Sequence, residues 1–279
     1  MRIGIAVRPA LPEAGEAASR LKEWLRERGA DWVDHGEMRA EEPCDLVMVL
    51  GGDGTLLQVA DKMAARSIPC IGINYGHVGY LCEVDASRMF EAAEMLLDGR
   101  YAVEKRTMVR ATVTRKGEVI RTLDALNEVL VGGATRTLTL NVDINKDTLG
   151  QIRGDGVIVA TRTGSTAYSF SAGGSILLLD GLVLVASNAV FSASVRSLVL
   201  PTDTVVRITD HSFSTTPYVI ADGQRDFRME KGDVVEIGKS PLHGHLINLG
   251  LVSPVRKLSL GFGLRRLPET APASESSDA

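Results

Sequence analysis

Gly51-Gly52-Asp53-Gly54-Thr55 directly follows the apolar run Leu46 to Leu50 and precedes the helical pattern of Leu56, Leu57, Val59 and Ala60. A buried strand, a tight glycine turn and a helix N-terminus are therefore predicted here. Main-chain N–H groups and the helix dipole at such a turn favour an anion, typically phosphate. Glycine lets a ligand approach those N–H groups closely. Asp53 lies in the middle, where a carboxylate is repelled by bound phosphate. It therefore needs a task there, such as taking a hydroxyl proton or holding Mg²⁺, unless it is a solvated residue in an ordinary turn.

A second block, Arg153 to Gly174, sets glycines and small hydroxylated residues around one aromatic. It includes Gly154-Asp155-Gly156 and Thr163-Gly164-Ser165-Thr166-Ala167-Tyr168-Ser169, followed by Ser171. Hydroxyls both donate and accept, and Tyr168 offers a flat face, a combination suited to a nucleoside with sugar hydroxyls. A polar helix start capped by Thr163 or Ser165 fits the same composition. Asn127-Glu128 interrupts the apolar segment Leu126 to Val131. Buried, this carboxylate needs a partner or a cation; at a strand edge it simply faces water. Asp222-Gly223-Gln224 reads as a hairpin turn, and His243-Gly244-His245 as a surface turn.

The elements that must position these residues fall into two groups. Up to residue 101, strands at Ile3–Val7, Asp45–Leu50 and Ile68–Ile73 alternate with helices at Glu13–Arg28, Thr55–Arg66 and Ala86–Leu97, the pattern of a parallel α/β sheet. Both glycine-rich turns, at 51–54 and at Asn74–Leu81, lie at strand carboxyl ends, where such sheets bind ligands. Beyond residue 101 the helical period fades. Strands are predicted over Val103–Thr114, Glu118–Val131, Thr137–Ile144, Gly150–Ala160, Thr204–Ile208, Tyr218–Ala221 and Val234–Ile237. The expected division is an α/β domain at 1–101, a β-rich domain at 102–267 whose last segment packs back on the first, and a disordered tail at 268–279.

Composition narrows the function classes. The chain has 279 residues, 44% of them apolar and 24% charged, with a net charge of −4. Nothing points to nucleic acid or a membrane surface as a partner. Three cysteines without metal-ligand spacing read as thiols of a reducing cytoplasm. No Walker A, zinc-protease or nucleophile-elbow pattern is present, and Asn74-Tyr75-Gly76-His77-Val78-Gly79 is a weak dinucleotide fingerprint.

The order and spacing of these blocks resemble the NAD kinase family over roughly residues 1 to 250. The first glycine turn alone is shared with lipid kinases and phosphofructokinases; the Gly-Ser-Thr-Ala-Tyr block with Asn-Glu upstream is more specific. The resemblance implies a Rossmann-like N-terminal α/β domain and an all-β, sandwich-like C-terminal domain with NAD between them. It further implies phosphorylation of the adenosine ribose 2′-hydroxyl by a nucleoside triphosphate such as ATP, or by polyphosphate, with Mg²⁺. Asp53 matches the general base, and Gly51, Gly52, Gly54 and Thr55 match the donor-phosphate turn. Asn127 and Glu128 match residues contacting adenosine. Thr163, Thr166, Ala167 and Tyr168 match the wall around adenine and ribose. Arg153, Ser171 and Gln224 fall on the same NAD-binding surface with Asp53 and Gly54. Asp155 matches a residue reaching the dinucleotide's other end, often from a neighbouring subunit of a homodimer or homotetramer. The chain departs from the family at Arg162 and Ser175, each in place of a proline, and between Ala186 and Ser197. A kinase acting on another hydroxyl and a non-catalytic dinucleotide-binding regulator are the competing readings.

Overall fold

A computed structural model describes residues 1–35, 42–76, 79–133, 137–190, 196–212 and 215–262. His77, Val78, the stretch 191–195 and the tail expected at 268–279 lie outside the described residues.

The first part of the chain forms β1 (Arg2–Val7), α1 (Pro12–Glu27), β2 (Asp31–Asp34), β3 (Leu46–Gly51), α2 (Asp53–Ala64), β4 (Cys70–Asn74), β5 (Val84–Asp85) and α3 (Met89–Leu97). β2, β1, β3 and β4 pair in parallel in that order. All six residues of β3 are buried, because helices cover both faces of the sheet. Ile3, Ile5, Met48 and Leu50 pack with α1 and α3, whereas Val47 and Val49 pack with α2. α2 begins at Asp53, two residues earlier than its apolar stripe suggests. Asp53 is thus a first-turn helical residue rather than the middle of a loop.

The remainder comprises β6 (Ala102–Arg115), β7 (Glu118–Ala125), β8 (Glu128–Gly132), β9 (Leu138–Ile144), β10 (Asp147–Gly154), β11 (Gly156–Thr161), α4 (Tyr168–Ser171), β12 (Leu182–Ser187), β13 (Ser197–Leu200), β14 (Val206–Asp210), β15 (Tyr218–Ala221), β16 (Arg225–Arg228), β17 (Val234–Asn248) and α5 (Pro254–Gly261). One sheet runs β13-β12-β11-β8-β15-β16. It faces strands β6, β7, β9, β14 and β17 across a core that includes Val109, Val129, Leu140, Val159, Leu184 and Ile237. This is a β-sandwich.

Two long strands expected from the sequence are each two strands. The segment 118–131 breaks at Leu126-Asn127, and the segment 150–160 breaks at Asp155. At each break the chain passes from one sheet of the sandwich to the other. β17 is also longer than expected and carries His243-Gly244-His245 as strand, paired with β6 across an irregularity between Lys239 and His243. At its far end Leu246 pairs in parallel with Cys70 of β4, so β17 joins the sandwich to the α/β sheet. Met108, Leu126 and Leu246 lie in one apolar cluster with Leu56, Val59 and Met63 of α2. Fully burying a side chain of this size is worth about 1.5–3 kcal/mol, so the helix that begins with Asp53 is held by both halves of the molecule.

Candidate active site

Gly51 ends β3 and Gly52 precedes α2. A Cβ on Gly51 would lie 2.7 Å from the Thr55 Oγ1, so the turn closes only with glycine there. Thr55 is buried and Gly54 exposed. The Asp53 carboxylate accepts three backbone hydrogen bonds. Tyr80 N–H and Leu81 N–H donate to Oδ2 at 2.6 and 3.2 Å, and Cys82 N–H donates to Oδ1 at 2.9 Å. A Cβ on Gly79 would stand 2.2 Å from Oδ1, so this close docking requires glycine. The second glycine-rich turn is therefore the seat of Asp53.

Asn127 and Glu128 occupy the first sheet crossing and are both buried, 9% and 7% exposed, which excludes a strand edge facing water. Their backbone is fixed from the predicted hairpin turn Asp222-Gly223-Gln224. Asp222 connects β15 to β16 with φ of 53°, a left-handed conformation that aspartate tolerates. Its carboxylate accepts from the N–H groups of Leu126, Asn127 and Glu128 at 2.9, 2.7 and 3.2 Å. Asn127 Oδ1 and Glu128 Oε2 are buried with no hydrogen-bond partner. Buried polar atoms are rarely left so; these two are free to receive a ligand.

Thr161 Oγ1 donates to Leu126 O at 2.6 Å, and Gly164 N–H donates back to that hydroxyl at 3.2 Å. The turn Gly164–Thr166 thereby rests on the crossing. A Cβ on Gly164 would fall 2.2 Å from Asn127 O, a backbone atom with little freedom to move. Gly164→Ala should destabilise the protein by about 1–3 kcal/mol through overpacking, read as a lowered thermal midpoint. Neither Thr163 nor Ser165 caps a helix. Ser165 Oγ instead donates to Arg162 O at 2.8 Å and accepts from Leu177 N–H at 2.9 Å. Thr163 is buried, Ala167 half-buried, and Tyr168 and Ser171 exposed.

Burial first, and then the charge of Asp222, pushes the Glu128 carboxyl up to about 8. Burial likewise pushes Asp222 up to about 6 against the lowering effect of its three N–H donors. Glu128 thus carries a proton through much of the neutral range and can donate as well as accept. Its folded pKa lies above its unfolded one, so the folded state retains a proton that the unfolded chain releases. The stability this contributes is complete below about 4.5 and is lost as pH rises through about 8. Between those limits the melting temperature of the wild type should fall with pH relative to that of Glu128→Gln. Parallel curves for the two proteins would exclude a raised carboxyl at this position.

The two groups of residues meet. Gln224 Nε2 donates to Gly54 O at 3.3 Å, and Arg225 pairs with Asp61 of α2 at 3.0 Å, docking the β15–β16 turn on the helix of Asp53. Tyr80 and Leu81 share one pocket with Thr163 and Thr166. Its far wall includes Lys257 and Leu258 of α5, a helix with no counterpart in the sequence reading. Phe262, just after α5, packs on Tyr80 at 5.0 Å and on Phe170 at 4.4 Å between ring centres. Arg153 and Asp155 lie apart from this network. Asp155 is exposed and accepts from Asn188 Nδ2 at 2.7 Å.

Residues 27–101 match the ATP-NAD kinase N-terminal domain, and residues 126–249 match the ATP-NAD kinase C-terminal domain. The chain is 36% identical to the NAD kinase of Heliobacterium modesticaldum, over 89% of this chain and 93% of that one. It is 35% identical to the NAD kinase of Pseudomonas putida, over 94% of this chain and 96% of that one. Yeast NADH kinase complexed with NADH superposes with a TM-score of 0.84 at 20% identity, covering 97% of this chain and 90% of that chain. The NAD kinase of Archaeoglobus fulgidus in complex with ATP gives 0.72 at 24% identity, covering 94% and 98%.

Proposed function

The chain belongs to the NAD kinase family and phosphorylates NAD, and on that premise we propose how its residues divide the work. Asp53 is the general base. The ribose 2′-oxygen of NAD(H) bonds to the terminal phosphorus of the donor, ATP or inorganic polyphosphate, as its proton passes to Asp53. The bond from that phosphorus to the bridging oxygen breaks, and its electron pair leaves on the shortened phosphate chain. A carboxylate offers about four acceptor positions; three are taken by Tyr80, Leu81 and Cys82, and the remaining one takes the proton. The observation that carries this reading is the placement of Asp53 against a turn that lines the same pocket as Thr163 and Thr166.

Asn127 Oδ1 and Glu128 hold the adenosine part, with Gly54, Thr163, Thr166, Ala167, Ser171 and Gln224 around it. Gly51, Gly52, Gly54 and Thr55 form the turn for donor phosphate, where helix N–H groups neutralise charge in a loose transition state. A divalent cation is expected with the donor. Among the described residues no group of three or more His, Cys, Asp or Glu is placed to share one. Such an ion would arrive on the donor's phosphates, where it would offset negative charge.

Asp155 and Arg153 are surface residues by their exposure, which suits contact with the dinucleotide from a second subunit of a homodimer or homotetramer. A cytoplasmic setting agrees with three free cysteines. Among the described residues no helix is long and apolar enough to cross a membrane.

The test is formation of NADP⁺ from NAD⁺, ATP and Mg²⁺, followed by a coupled dehydrogenase, with polyphosphate and NADH as alternative substrates. Absence of product with every pair would overturn the reading. Tyr168, 46% exposed beside the pocket turn, offers its ring to the base. Tyr168→Ala should raise KM for NAD by about tenfold, within the usual worth of a base–aromatic stack, with little change in kcat. An unchanged KM would remove the stacking role.

A further inference from the structure

The pocket next to the Asp53 seat carries positive charge from three separate elements: Arg106 of β6, Arg162 of the turn after β11 and Lys257 of α5. Two carboxylates share the lining, and both are already engaged. Glu83 accepts from the N–H groups of Leu249 and Leu251 at 3.1 and 3.3 Å. Glu104 pairs with Arg106 and accepts from Asn248. Arg162 and Lys257 feel the Glu104 charge, yet neither forms a hydrogen bond or ion pair through its side chain among the described residues. Arg106 keeps a buried Nε without a partner.

We propose that Arg162 and Lys257, with the unpartnered Nε of Arg106, form a binding site for the linear phosphate chain of the phosphoryl donor. The inference rests on the reading of the chain as an NAD-phosphorylating enzyme and adds which residues hold the second reactant. Three observations converge on it. The pocket shares Tyr80 and Leu81 with the Asp53 seat, so an anion held there lies beside the group that receives the hydroxyl proton. Its spare donors are cationic, and charge-assisted hydrogen bonds to phosphate are the strong ones. Guanidinium groups match phosphate in a planar fork while an ammonium acts as a point charge, and both kinds are present. The ligand is defined by its phosphates. An ATP triphosphate and inorganic polyphosphate offer the same groups to the same three side chains.

The experiment compares the wild type with Arg162→Ala, Lys257→Ala, the double variant and Arg162→Lys. Inorganic tripolyphosphate binding is measured by calorimetry, and KM is measured separately for ATP, polyphosphate and NAD. Tripolyphosphate should bind the wild type and lose about tenfold in affinity with each alanine. KM should rise by a similar factor for whichever donor the enzyme uses, or for both, while KM for NAD changes less than about twofold. Arg162→Lys should recover part of the loss. Equal thermal midpoints show that the variants are folded. Unchanged donor KM and tripolyphosphate affinity would overturn the proposal. So would a rise confined to NAD, since the pocket would then serve the dinucleotide's own diphosphate. A wild type that makes no NADP⁺ defeats the activity reading instead, and calorimetry with tripolyphosphate still decides the site.

Discussion

Asp53→Asn should lower turnover by about 10²–10⁴-fold, the usual worth of general-base help, while KM for NAD moves far less. Size and shape are kept and the proton acceptor is lost. The hydrogen bonds decide how clean the test is. Oδ2 serves Tyr80 and Leu81, and Oδ1 serves Cys82. An asparagine keeps one oxygen and turns its NH₂ group toward at least one backbone donor. That mismatch costs about 1–3 kcal/mol, which for a domain of this size lowers the melting temperature by a few degrees. Steady-state kinetics and a thermal melt on the same preparation separate the effects. A turnover loss below about threefold would remove Asp53 from the base role. A large loss with a collapsed melt would mean that Asp53 acts mainly by holding the 80–82 turn. Asp53→Ala, which drops all three acceptor bonds, shows how low the melt falls in that case.

The α/β half was legible because its signals are local. The apolar run of β3, the helical stripe of α2 and the glycines between them lie within some twenty residues, and periodicity reads them directly. The sandwich was legible as β-rich but not in its connections. Asn127-Glu128 interrupts the apolar run at the first crossing and Gly154-Asp155-Gly156 at the second, but a short polar or glycine interruption also fits a continuous strand and does not by itself show that the chain leaves one sheet for the other. Gly154 and Gly156 are the physical trace of the second crossing, since a Cβ on either would press on backbone oxygen, of Ser187 at 2.6 Å and of Val131 at 2.5 Å. The strand expected over Val234–Ile237 instead runs on to Asn248, across an irregularity between Lys239 and His243. The anchoring role of Asp222 could not be read locally, because its partners are 94 to 96 residues away in sequence. Arg162 was visible as a departure from the family; only the fold places it in a pocket with Arg106 and Lys257.

Asp222→Ala should destabilise the protein by about 3 kcal/mol or more, since a buried donor left unpaired costs about 1–3 kcal/mol and Asp222 serves three. Truncation offers no substitute acceptor, because the N–H groups of Leu126, Asn127 and Glu128 all converge on this carboxylate. An opposing effect makes the result informative. The Asp222 charge is one of the two causes that raise the Glu128 carboxyl, the other being burial. Its removal should bring Glu128 down from about 8 while leaving it above an ordinary glutamate. Urea unfolding reads the first effect, and NMR titration of the Glu128 carboxyl reads the second. Loss of stability with a lowered Glu128 pKa means that one residue both fixes the crossing and keeps its glutamate protonated at neutral pH. Stability within about 1 kcal/mol of wild type would show that the crossing holds without it. The placement of Asn127 and Glu128 would then rest on Thr161 and Gly164 and on the backbone pairing of β8 with its neighbours. That division matters for activity, because Asp222 belongs to the turn whose Gln224 and Arg225 dock on α2. A crossing anchored by the Asp222 carboxylate ties the adenosine-binding pair, through its side chain, to the turn docked on the helix that carries the base, whereas Thr161 and Gly164 tie it to the pocket turn.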